Sequence, residues 1–259
     1  MSGLLLRLAG PLQSWGERSA FTPVRDSAAF PTRSGLIGMF CAAHGRGRDE
    51  EGLARYEGLE FTVRIDRPGV RLIDYHTVGG GRPKHLTAAT SGGDHKGDAV
   101  ITRRHYLADA VFIVAVAGPD DEIARIAAAL DQPYWAPYLG RRSCLPDEPF
   151  LLCASVDDPV RELMERVPLS VHEADDQHRP PETTGVSVDF LWEKYHRDQL
   201  PDGAVTLTAN DVPVSFAQHS RSHGKRLLYR TTEQLPEALR SDQATLHQRL
   251  ISYAKEEDA

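Results

Sequence analysis

The sequence has little cysteine, no long apolar run and no excess of positive charge. Three cysteines, Cys41, Cys144 and Cys153, occur among 259 residues. They are odd in number, widely spaced and never in a C-x-x-C pair, which argues against a zinc ribbon and a disulfide framework. They read instead as small buried hydrophobes in a reducing cytoplasm. No stretch of about 18 uncharged apolar residues is present, so no membrane-spanning helix is expected. The opening MSGLLLRLAG is apolar only up to Arg7, with no basic n-region and no small-residue cleavage site. It reads as a first strand and not a signal peptide. Neither G-x-x-x-x-G-K-[ST] nor G-x-G-x-x-G occurs, and internal repeats are missing too, so a phosphate-cradling nucleotide loop is not expected.

What is present is ordinary globular composition, 41% hydrophobic and 26% charged, enough for one large domain or two small ones. The net charge of −7 would argue against a nucleic-acid partner if it were evenly spread. It is not. Residues 1–48 carry Arg7, Arg18, Arg25, Arg33, Arg46 and Arg48 against only Glu17 and Asp26. In 147–202, acids outnumber bases by fourteen to five. Either the acidic segment is simply a solvated face, or the molecule binds a polyanion on one side and repels it on the other.

Leu4, Leu6 and Leu8 alternate in a strand pattern that ends at Gly10-Pro11. After a turn-rich loop, Thr32 or Ser34 caps a helix with Leu36, Met39, Phe40 and Ala43 on one face. Gly35 and Gly38 weaken that helix, which implies close approach to a sheet or a ligand. Phe61, Val63 and Ile65, then Val70 and Leu72, suggest a hairpin about Pro68-Gly69. Residues 109–117 read as a central strand. Gly118-Pro119-Asp120 opens a second helix with Ile123, Ile126, Ala127 and Leu130 inward. A strand at 150–156 follows. The expected fold class is α+β, a ferredoxin-like (RNA-recognition-motif-like) βαββαβ domain over 1–160. A small β-rich C-terminal unit (161–232) is expected to pack on it, followed by a helical tail (233–259).

Between Tyr75 and Arg103 the pattern loses its periodicity. Gly79-Gly80-Gly81, Pro83, Gly92-Gly93 and Gly97 alternate with Arg82, Lys84, His85, His95 and Lys96. A stretch this long inside a compact domain is either a functional arm or a mobile loop, and both readings stand.

Five segments carry a resemblance. They are Gly10-Pro11-Leu12-Gln13-Ser14-Trp15-Gly16, Phe30 to Gly38 (FPTRSGLIG), Asp74-Tyr75-His76-Thr77-Val78, Arg104-His105-Tyr106-Leu107, and Pro137-Tyr138-Leu139-Gly140-Arg141-Arg142-Ser143-Cys144. In this order and spacing, over about 3–156, the chain resembles the CasD subunits of the type I-E CRISPR surveillance complex, Cascade, in the RAMP superfamily. The resemblance implies a non-catalytic CRISPR RNA-binding subunit that holds the 5′ handle of the guide RNA. It also implies contact with the Cascade backbone subunit and large subunit in antiviral defence. The insertion at 77–102 would be a thumb, target DNA would be met only through the complex, and repeat cleavage would belong to another subunit.

The residues support this on their own chemistry. Arg33, beside Ser34 at a helix start, offers a guanidinium where the dipole already favours an anion; the bland alternative is a surface Arg that caps the loop. Arg141 and Arg142, ahead of Ser143, could clamp phosphate, or one could pair with Asp147 or Glu148. Trp15, Tyr75 and Tyr138 either stack on splayed bases or pack in the core. His76 and Arg104 complete the candidate RNA-binding set. Segment 219–230 (His219, Arg221, His223, Lys225, Arg226, Arg230) lacks acids and suggests a second basic edge. Gly224 and the neighbouring serines argue against a helix that would pair His219 with His223 on a metal, so no metal or cofactor is expected. The competing reading is a metal-independent endoribonuclease acting on repeat RNA, with Tyr75, His76, Lys84 or His85 as acid, base and charge stabiliser.

Overall fold

The structure, a computed structural model, describes residues 2–17, 22–48, 52–87, 93–95, 97, 99–170, 185–217 and 220–257. Arg18, Lys96, His219 and the middle of the acidic segment (171–184) lie outside them.

The strands in chain order are β1 (Ser2–Ala9), β2 (Leu12–Gln13), β3 (Val24–Arg25), β4 (Glu60–Arg67), β5 (Val70–Val78) and β6 (Val100–Ala108). They continue as β7 (Val111–Gly118), β8 (Leu151–Val156), β9 (Leu169–Ser170), β10 (Val186–Trp192), β11 (Val205–Ser215), β12 (Ser222–Leu235) and β13 (Arg240–Ser241). The helices are α1 (Arg33–Ala43), α2 (Asp120–Asp131), α3 (Pro159–Glu165) and α4 (Gln243–Glu257). The class is α+β with mostly antiparallel sheets. A seven-stranded sheet runs in the order β11-β12-β10-β4-β7-β1-β8.

β1 shows how sequence becomes layer. Successive side chains of a strand point to opposite faces. Leu4, Leu6 and Leu8 enter one core with Phe61, Phe112 and Val114, beneath Leu36 and Phe40 of α1 and Ile123 and Ile126 of α2. Leu5 enters the opposite core with Ile113, Phe190 and Trp192, beneath Leu163 of α3 and Leu250 and Tyr253 of α4. Both faces of the central strands are therefore covered, which is why 111–117 is an uninterrupted apolar run. Arg64 crosses to the second core beside Asp66, both side chains wholly buried. It donates to the carbonyls of Leu163, Val167 and Pro168 at 2.7–3.0 Å, pinning the end of α3 under the sheet.

The helix expectations hold at the residue level. The Thr32 hydroxyl accepts from the Gly35 amide at 3.2 Å. Gly35 meets the Trp15 indole so closely that a Cβ there would stand 2.9 Å from the ring. The cysteines are buried thiols. Among the described residues no helix is long and apolar enough to cross a membrane.

Four features differ from the sequence reading. β4 and β5 do not form a hairpin: the free edge of β4 is taken by β10. The chain turns at Gly69 (φ +73°), where a Cβ would strike Ala110 at 2.7 Å, and β5 leaves to pair with β6. β6 itself and α3 were not expected, although Asp158 caps α3 by accepting from the Arg161 amide and Pro159 occupies its first turn. β10, β12 and β11 extend the main sheet rather than forming a layer of their own. The tail is strand to Leu235, makes a 3₁₀ turn at Glu237–Leu239, and is α-helical only from Gln243.

We expect Leu6→Ala to lower unfolding free energy by about 2–5 kcal/mol, because it empties fully enclosed volume. Leu227→Ala, at an exposed position of β12, should change it by under about 0.5 kcal/mol. Urea unfolding of both variants checks the contrast.

Candidate nucleic-acid interface

Three of the expected contact residues lie inside the molecule. Trp15 is 1% exposed; its ring nitrogen donates to the Gln13 Oε1 at 3.0 Å and its face packs on Gly35. It joins the first loop to α1 and presents no face to a base. Ser34 is buried in the first turn of α1. Arg33 is buried as well. Its Nη1 donates to both Glu193 carboxylate oxygens at 2.8 Å and to the Leu59 carbonyl, and its Nη2 to the Tyr56 carbonyl at 2.9 Å. The guanidinium lies over the Phe61 ring, 5.0 Å from its centroid. These donors are spent internally, and the anion at this helix start is a carboxylate of the chain itself: the Arg33 amide donates to Asp211 at 2.7 Å.

The same carboxylates hold a second cation. Arg226 binds both oxygens of the wholly buried Asp211 at 2.7 Å and also reaches Glu193. Burial opposes the charge on Arg226, yet the bonds to Asp211 and the charge of Glu193 outweigh it and raise its pKa. Arg33, Glu193, Arg226 and Asp211 thus tie the start of α1 to the end of β10 and to β11 and β12.

The remaining candidates sit at the surface. In the loop before β8, Gly140 adopts φ +87°, and a Cβ there would lie 1.7 Å from the Ser14 carbonyl oxygen. Only glycine fits this turn, which then presents Arg141, Arg142 and Ser143. Arg142 and Ser143 are exposed. The Arg141 guanidinium lies over Tyr106, 4.6 Å from the ring centroid, and its Nη2 donates to the Arg25 carbonyl at 3.2 Å. Its Nη1 is buried with no partner among the described residues. Neither Asp147 nor Glu148 takes it up.

The insertion is built on a two-stranded ribbon. β5 and β6 pair without interruption from Val70 opposite Ala108 to Val78 opposite Val100. β6 also receives β2 and β3 on its other side, near the body. Asp74, His76, Thr102, Arg104 and Tyr106 share one face of the ribbon; Ile73, Tyr75, Ile101, Arg103 and His105 share the other. On the first face His76 Nδ1 stands 3.3 Å from Asp74, and Arg104 Nε donates to the Thr102 hydroxyl at 3.2 Å. That face continues through Tyr106 to Arg141, so His76, Arg104 and Arg141 lie along one side of the ribbon. Tyr75, 64% exposed, points the opposite way with Arg103. Tyr138 is half-buried at the start of the 138–144 loop.

Sequence reasoning missed an exposed aromatic pair. Tyr134 and Trp135 meet edge to face at 4.8 Å, and their amides donate to the Ala43 and Ala42 carbonyls, capping α1. Gly45 lies against Tyr134, where a Cβ would be 2.8 Å from the ring. Adjacent aromatics after Pro133 were the available signal. Arg103 was missed because β6 was not recognised as a strand. Segment 222–235 is strand, so His223 has no helical partner. Among the described residues no group of His, Cys, Asp and Glu could hold a metal.

Comparison with known proteins agrees with the motif pattern. The family model for CRISPR-associated protein (Cas_Cas5) matches residues 3–229. The Cascade subunit CasD of Escherichia coli K12 is 37% identical over 65% of this chain and 78% of its own length. A chain of a solved CRISPR RNA-guided surveillance complex superposes with a TM-score of 0.84 at 46% identity, covering 98% of this chain and 99% of that one. A second solved Cas protein gives 0.59 at 28% identity, covering 93% and 98%. The chain belongs to the CRISPR-associated Cas5 family and is of the CasD type.

Glu193→Gln leaves two guanidiniums facing each other in the interior, and we expect it to cost about 3–5 kcal/mol of stability. Arg142→Ala should cost less than about 0.5 kcal/mol. Thermal and urea unfolding of the two variants distinguish an internal tie from a surface group.

Proposed function

We propose that this CasD-type chain is a non-catalytic CRISPR RNA-binding subunit of a type I-E Cascade complex in the cytoplasm. It holds the 5′ handle of the guide RNA and bridges the backbone and large subunits in antiviral defence. On this reading the body is a ferredoxin-like core: the strands β8-β1-β7-β4 lie side by side in that order, with α1 and α2 on one face. Unlike an open RNA-recognition sheet, its other face is filled by α3 and α4. RNA is therefore met at the periphery.

The observation that carries the proposal is the convergence at the base of the arm. Arg104, Tyr106 and Arg141 line one face there, Arg142 and Ser143 stand exposed beside it, and one Arg141 nitrogen has no partner among the described residues. Guanidiniums with unused donors beside an aromatic ring suit phosphate and an unstacked base. The relatives named above are a Cascade subunit and a chain of an RNA-guided surveillance complex, which supports membership of the same kind of assembly. The exposed Val70, Ile73, Tyr75 and Ile101 along the arm suit burial against a neighbouring subunit.

Nuclease chemistry is disfavoured by the same strand geometry. Tyr75 and His76 are consecutive in β5, so they point to opposite faces and cannot act on one phosphate together. Lys84 and His85 lie beyond the end of β5, in a separate 3₁₀ turn.

A gel shift and a denaturing gel on labelled repeat RNA without metal test the proposal. We expect binding with the RNA left intact. Arg104→Ala combined with Arg142→Ala should weaken binding and reduce the slope of log affinity against log salt by roughly one to two. An unchanged slope shows that these groups do not touch phosphate, and a specific cut turns the assignment to a ribonuclease.

A further inference from the structure

One concavity takes no part in the arm-base site. A cavity of about 490 Å³ opens between α1, the 3₁₀ turn at Leu53–Tyr56 and the end of β11. Ile37, Leu53 and Tyr56 line its inner side, and Val212 to Ala217 its outer wall. Arg33 also lines it, but with its donors committed to Glu193 and backbone carbonyls. Arg48 is different: it lines the cavity and is exposed.

A second cation stands beside the first. Arg221 lies over the Phe216 ring, 5.8 Å from the centroid, where the charge of Arg48 and the phenol of Tyr138 both act on it. His223 pairs in register with Pro213 of the cavity wall. Its Nε2 is buried with no partner among the described residues. Burial, followed by the charge of Arg221, lowers the pKa of His223, so the ring is neutral near pH 7. Arg48 on the cavity lining, Arg221 over the Phe216 ring of its wall and His223 opposite Pro213 thus bring two guanidiniums, an aromatic ring and an imidazole to one side of the cavity.

An apolar slot of this size with a few convergent polar groups suits a small planar ligand. Among the described residues neither Arg48 nor Arg221 pairs with a carboxylate, which calls for an anion, and the Phe216 ring beside them suits a base. Among the described residues, Glu57 is the acid that lines the cavity. The run Asp49-Glu50-Glu51 follows Arg48 in sequence and lies outside the described residues. A nucleotide meets both needs at once, whereas an apolar peptide would leave the two guanidiniums uncompensated.

We infer that this cavity receives one unstacked nucleotide of the bound RNA, its base against the Val212–Phe216 wall and its phosphate on Arg48 and Arg221. The inference rests on the RNA-binding reading above and adds a defined subsite to it.

The test is photocrosslinking of repeat RNA carrying 4-thiouridine at one position at a time, in the assembled ribonucleoprotein, with the crosslinked peptides identified by mass spectrometry. We expect one position to mark residues 48–57 or 212–221. Arg48→Ala with Arg221→Ala should reduce that crosslink and RNA affinity about tenfold, with a smaller salt slope. Ser215→Trp, which narrows the slot without changing charge, should remove the same crosslink. Arg48 and Arg221 are exposed, so thermal unfolding of the double variant should be unchanged. Crosslinks confined to residues 102–106 and 141–143 overturn the subsite and leave the RNA-binding reading standing. No crosslink anywhere overturns both. A protein subunit crosslinked at the cavity in place of RNA assigns it to a protein contact and overturns the inference.

Discussion

The architecture depends on one internal electrostatic tie, Arg33 with Glu193, Arg226 and Asp211. Two cations and two anions share nearly every donor and acceptor, with Asp211 wholly buried. Desolvating four charges is expensive, and the arrangement is tolerable because geometry and extra backbone bonds compensate all of them together. The tie sets where α1 begins, where β10 ends and how β11 curls over the helix. It also decides what α1 cannot do. A helix start is a natural anion site, and here the position is filled by Asp211 from within.

A second constraint is coverage. Helices pack on both faces of the sheet, and Arg64 with Asp66 fastens one of those layers. The proposed RNA contacts therefore fall on what projects or remains at the rim: the β5–β6 ribbon, the Gly140 turn and the end of β11. A two-stranded ribbon has little stability of its own, so the arm is anchored near the body by β2 and β3 and leaves apolar side chains exposed farther out. Charge is distributed accordingly. Acids of the 147–202 segment that are described include partners in local pairs on α3, such as Arg161 with Glu165 and Arg166 with Glu162, on the layer opposite α1 and α2.

Much of this is legible in the chain, for identifiable reasons. The alternation in β1, the apolar run of β7, the Thr32 cap and the inward face of α2 are local signals that the tertiary structure reinforces. β6 was hidden because Arg103, Arg104 and His105 interrupt its apolar pattern, and a ribbon exposed on both faces has no reason to alternate. α3 was missed despite a capping Asp158 and Pro159, since one short helix inside an acidic stretch carries little periodicity. Among the candidate residues, the surface turn Gly140 to Ser143 was readable because glycine beside paired arginines makes a poor core and a good exposed turn. Arg33 and Trp15 were not, because an Arg or Trp in a loop motif looks the same whether it meets RNA or a buried carboxylate.

The sequence alone determined the class of the fold, the family through five short motifs in register, and the segregation of charge. Those properties reside in residue order and in spacing along the chain. Tertiary structure decided which arginines remain available, which ribbon face Tyr75 and His76 each take, and that residues 48, 53, 54, 56, 57 and 212–217 line one cavity. Each of these depends on which distant residues become neighbours: Glu193 is 160 positions from Arg33, and no local pattern announces a partner that far away.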